Sequence, residues 1–152
     1  MTKLIFILLI ALPSWVFANN DSFTLINNNQ TFQVKTADLE SFPSHDIKTS
    51  TNFTPVSNFS GALVSDFVRK YNIDTNSKLK IFALDDYSYT VPVSELIKYH
   101  ALLAYKKDNR YMDIASLGPF ATIFPKDDVP ELQNLDIDAK TVWMIKSIEV
   151  EK

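Results

Sequence analysis

The sequence predicts an α+β domain with mixed or antiparallel sheets and a few short helices. Three observations lead there. Short apolar stretches follow one another with Asn, Asp and Pro between them, the pattern of many short strands. One segment, residues 63–71, carries a helical stripe instead. No period repeats along the chain and no linker-like tract divides it, so strands and helices share one layered unit.

The elements follow in order. Phe23 to Ile26 and Thr31 to Val34 read as strands, with Asn27-Asn28-Asn29 as the turn between them. Thr36 is placed to cap a single helical turn through Asp38, Leu39 and Glu40, which Pro43 ends. Residues 44–60, rich in Ser, Thr and Asn, read as a strand followed by a long loop. Leu63, Val64, Phe67, Val68 and Tyr71 then form one apolar helical face, with Ser60 as its N-cap and Asn72 as its left-handed stop. Leu79 to Leu84 and Tyr87 to Val91 are strands joined by Asp85-Asp86, a turn-forming pair. Pro92 and Ser94 open a short helix through Leu96 and Ile97. Ala101 to Tyr105 and Tyr111 to Ile114 flank a polar turn. Phe120 to Phe124 is a buried strand, and Val142 to Val150 closes the chain as a long one.

The N-terminus reads as a secretory signal peptide. Lys3 supplies the positive charge, Leu4 to Leu12 the apolar run, and Val16-Phe17-Ala18 the small residues of a cleavage site after Ala18. The alternative is an uncleaved anchor, for which the run is short against the roughly 20 residues of a span. Residues 19–152 then form a single exported domain with no membrane span after cleavage. Its formal charge is one unit more acidic than the −3 of the whole chain, because Lys3 leaves with the leader. A weakly acidic domain is a poor candidate for nucleic-acid binding, which needs a basic face. The chain has no cysteine, so it has no disulfide, thiolate ligand or Cys nucleophile. The combination places the protein in a bacterial periplasm.

The second half of the chain carries a family pattern. LLAYKKDNRYMDIASLGPFATIFP followed by KTVWMIKSIEV resembles the C-terminal half of the oxidoreductase molybdopterin-binding domain, the sulfite oxidase fold. The matching features are an LLA strand, a polar turn, Gly118-Pro119, a strand ending at Pro125, and a final strand containing Trp143. Upstream, FSGALVSDFVRKYNI resembles the family's Gly-Leu helix and FALDDYSYTVPVSEL its Asp-Tyr strand pair. The likeness runs from about Thr36 to Val150.

The resemblance implies a molybdopterin cofactor whose metal is held by a Cys thiolate in the loop before the Gly-Leu helix. The corresponding stretch here, Thr49 to Phe59, has no Cys. The family's Arg after the Gly-Pro turn falls at Ala121. The expectation is therefore a cofactor-free, non-catalytic relative, a module that binds a small ligand or a periplasmic or membrane protein. The alternative is a pterin-dependent oxidoreductase that keeps its cofactor without a Cys ligand. Asn52, Phe53, Tyr87 and Tyr89 are the candidates to line what remains of the cleft, since aromatics with a few polar groups suit a small-ligand pocket. Their competing reading is strand-face packing and a polar loop. Trp143 is either core or the floor of a cavity. His45 and His100 stand too far apart in sequence to suggest a metal site.

Overall fold

The computed structural model describes residues 21–152. The expected leader and its expected cleavage position at Ala18 lie outside the described residues. The chain begins with β1 (Ser22–Asn27), β2 (Gln30–Lys35) and α1 (Thr36–Glu40). It continues through β3 (Ser44–Thr49), β4 (Ser57–Leu63), α2 (Val64–Lys70), β5 (Lys78–Ala83), β6 (Ser88–Pro92) and α3 (Val93–Lys98). Then come β7 (Leu102–Lys107), β8 (Arg110–Tyr111), β9 (Ala121–Ile123), α4 (Leu135–Lys140) and β10 (Ile145–Glu151). Single 3-10 turns lie at Ile114–Ser116 and Pro130–Leu132. The result is α+β, mostly sheet with a few short helices.

Two five-stranded sheets carry the architecture. The first has the order β2-β1-β10-β5-β6 and is mixed, because β10 lies parallel to β1 and antiparallel to β5. The second, β3-β4-β7-β8, is antiparallel, and β9 pairs with β7 beside β8. The β1–β2 hairpin turns through Asn28 and Asn29, both with positive φ, a backbone state that Asn tolerates. The strand pairing β1–β10 ties the two ends of the described chain into one sheet.

The larger core lies on the first sheet, takes in Ala62, Leu103 and Tyr105 of the second, and gathers α2 and α3 against it. Phe23 is its hub, 5.2 Å from Phe120 in an edge-on pair and 6.0 Å from Phe67. A smaller cluster belongs to the second sheet: Ile47, Phe59, Leu102, Met112, Ala121 and Trp143 among others. No helix among the described residues is long and apolar enough to cross a membrane.

Several local expectations need correction. Ser57 to Leu63 is a strand, not loop, and Ser60 sits in its middle opposite Asp46 and Lys106 rather than capping a helix. Small residues allow this: β4 runs between β3 and β7, and a Cβ on Gly61 would lie 2.2 Å from the Leu103 carbonyl oxygen. The helix starts after Leu63, where the Val64 N–H donates to the Ala101 carbonyl instead of to a capping side chain. Thr36 does not cap α1. Its hydroxyl turns back to the Asp21 carbonyl, and the N-cap is Lys35, whose N–H donates to the Asp38 carboxylate at 2.8 Å.

Ile114 lies in a 3-10 turn, not in a strand with Tyr111. The last strand begins at Ile145, not Val142, because Met144 has φ 50° and breaks the extended run.

The Gly118-Pro119 peptide is cis. Gly118 does not take a left-handed conformation; Leu117 does, with φ 68°. What Gly118 supplies is space, since a Cβ there would sit 2.4 Å from the Met112 Cβ.

Candidate functional site

A cleft of about 450 Å³ opens beside the smaller core. Four pieces of chain build it: a loop over residues 50–56, the β5–β6 hairpin, Leu117 before the Gly118-Pro119 peptide, and the stretch from α4 to Met144.

The α4 wall forms because Asn134 caps the helix, accepting from the Ile137 N–H at 3.1 Å, while Asp136 and Asp138 occupy the first turn. Ile137 is buried beneath it. Lys140, 8% exposed, donates to Glu95 of α3 at 2.6 Å and to Asp136. Burial works against its ammonium, and the two carboxylates more than reverse this, so its pKa is raised. The hairpin adds two phenols. Tyr87 donates to the Ala139 carbonyl at 2.7 Å and Tyr89 to Asp136 at 3.1 Å.

The opposite wall is held by hydroxyls. The Ser50 N–H and hydroxyl both donate to Asp127 at 2.7 Å. The first of the effects on Asp127 is the Ser50 hydroxyl bond, which lowers its pKa. Thr51 Oγ1 accepts from the N–H groups of Phe53 and Thr54, which folds the loop on itself. This loop occupies the place where the resemblance puts the family's ligating Cys.

Beneath both walls, residues 141–144 cross the strand that follows Pro119. The Thr122 hydroxyl donates to the Lys140 carbonyl at 2.9 Å and accepts from the Val142 N–H at 2.8 Å. The Met144 N–H donates to the Leu117 carbonyl at 3.1 Å. Of the non-glycine residues with positive φ among the described residues, seven are Asn, Asp or His; the other two are Leu117 and Met144. Both line the cleft. A left-handed Leu or Met costs on the order of 1–2 kcal/mol, and such costs concentrate at functional sites.

The cleft brings together Asn52, Phe53, Tyr87 and Trp143. Tyr89 does not line it and acts through Asp136. Trp143 is both core and floor: it is 5% exposed, packs 5.9 Å from Phe59, and faces Phe53 edge-on at 6.4 Å. Its indole N–H is buried without an acceptor. Gly118, Pro119 and Pro125 are not among the lining residues. Leu117, Leu135, Asp138, Ala139, Thr141 and Met144 line the cleft but were not among the sequence candidates. The Asn134 cap with Asp136, Asp138 and Lys140 at helix-compatible positions was the signal for that wall.

The chemistry of the lining is apolar and acidic. Asp85 and Asp138 are its carboxylates, and no Lys or Arg lines it among the described residues. Asp138 is neutralised by Lys126 at 2.6 Å. The residues do not fit an anionic molybdenum pterin: no thiolate exists in the chain, and among the described residues no cation lines the cleft. Ala121, the counterpart of the family's Arg, is fully buried in the smaller core and is not part of the lining. Among the described residues, no three His, Asp or Glu side chains group as metal ligands.

No family model matches the sequence, and no curated protein matches it. A solved structure does. The sulfane dehydrogenase SoxCD from Paracoccus pantotrophus is similar over 89% of this chain, with a TM-score of 0.63 and 10% identity. The two share a fold. This chain spans 39% of that one's length.

Proposed function

We propose that this protein is an exported periplasmic module with the sulfite oxidase-like molybdopterin-binding fold, cofactor-free and non-catalytic, which binds a small ligand in the cleft under Phe53. Residues 19–152 act as one domain. The fold reading rests on the sequence motifs and on the distant likeness to a dehydrogenase.

The observation that carries the function is the strained pair Leu117 and Met144, bonded to each other at the edge of an apolar cleft. Backbone strain of this kind persists where the surroundings over-determine it, and a binding site is such a place. A concave, mostly apolar cavity of this size suits a small molecule better than a protein surface.

Metal and pterin analysis of protein purified from a periplasm tests the reading. Molybdenum well below stoichiometric, with no pterin fluorescence after denaturation, is the expected result. A stoichiometric amount of either restores the cofactor-dependent oxidoreductase. Mass spectrometry of the same sample tests export: the first residue should be Asn19, and a chain retaining Leu4 to Leu12 refutes cleavage.

A further inference from the structure

We propose that the ligand class of this cleft is an organic cation: a monovalent amine carried on an aromatic or alkyl body. The proposal rests on the reading of the cleft as a small-ligand site and adds the sign of the charge.

Three aromatic side chains, Phe53, Tyr87 and Trp143, line one cavity. Aromatic faces attract a cation and are indifferent to a neutral polar group of the same size. The electrostatics point the same way. Lys126 and Asp138 cancel each other at 2.6 Å, which leaves Asp85 as the uncompensated charge of the lining. Asp85 accepts from the Tyr87 backbone N–H at 3.1 Å, a bond that holds the carboxylate at the hairpin turn without neutralising it. An anion entering the same space would meet Asp85 with no lining ammonium or guanidinium among the described residues to offset it. Phe53 is 65% exposed and Leu135 85% exposed, so the mouth presents apolar surface to the body of the ligand.

A charge series on one body tests this. Phenethylamine, phenethyl alcohol and hydrocinnamate carry a cation, a neutral group and an anion on the same phenethyl frame. Each is titrated into the periplasmic protein while tryptophan emission is followed; Trp143, on the cleft floor, is the one tryptophan left after cleavage at Ala18, so the change reports on the cleft. The amine should bind about tenfold more tightly than hydrocinnamate, with the alcohol between, because the cation–π and carboxylate terms act together. The gap should narrow as salt is added. Asp85→Asn should weaken the amine about fivefold and leave the alcohol unchanged. Equal affinity across the series, or an amine affinity indifferent to Asp85→Asn, overturns the cation assignment while leaving a small-ligand site. No response to any of the three removes the small-ligand reading itself, and the cation with it.

Discussion

The two walls of the cleft face each other but are held by different chemistry. The α4 wall is docked by charge: Lys140 between Glu95 and Asp136, and Lys126 against Asp138. The loop over residues 50–56 is docked by hydroxyls and the single carboxylate of Asp127. The difference teaches which end of the pH scale each wall answers to. Asp127 and Asp136 have lowered pKa values, so their contributions are present above the ordinary carboxylate value of about 3.9 and are lost as pH falls through the lowered one. Lys140 and Tyr89 have raised values. Their contributions are present below about 10 and are lost as pH rises through the raised ones. The loop wall is therefore acid-sensitive, and the α4 wall is sensitive at both ends.

The largest effect lies under both walls. Ala121→Arg forces an unpaired charge into a fully buried position of the smaller core and should cost about 3–5 kcal/mol. Urea unfolding should find the variant largely unfolded; a stability near wild type would mean that the floor is not packed as described. Next comes the charged wall. Lys140→Met strands Asp136 and Glu95 and should cost about 2 kcal/mol, less than a fully buried pair because Asp136 is half in solvent. The same variant should lose part of the wild-type stability decline above pH about 10.

The hydroxyl wall should yield less. Asp127→Asn keeps one acceptor for Ser50 and should cost about 1 kcal/mol at pH 7, since solvent screens this exposed group. Its deficit should vanish on acidification, once wild-type Asp127 is protonated; a deficit that persists at pH about 2 would show that charge is not what pins the loop. Tyr87→Phe removes one phenol bond to Ala139 and should cost about 0.5 kcal/mol in a thermal melt. If it exceeds the Lys140→Met effect, the ranking of the walls is inverted.

The sequence carried the hairpins well, because their turns use residues that tolerate positive φ: Asn28 and Asn29, Asp86, and Asp108 and Asn109. It hid β4, because Ser, Asn and Gly read as loop formers, and only pairing with β3 and β7 makes them strand. It hid α4 because six residues give too little periodicity, although the cap and the charges were there. Val142 to Val150 looked like one strand because nothing local forbids it; the left-handed Met144 follows from its bond to Leu117, a tertiary contact. So the aromatic half of the cleft could be named from sequence, and the α4 half could not.

The central claim is that this cleft is built by the polypeptide alone. It is tested most directly by producing the protein in two hosts, one able to make molybdopterin and one unable, and comparing Tm and Trp143 emission. A bound cofactor at a hundredfold excess over its Kd stabilises by about 2.7 kcal/mol, which a melt resolves. The account predicts identical melts and identical emission from both hosts. A protein from the deficient host that melts several degrees lower, or fails to accumulate, would contradict it.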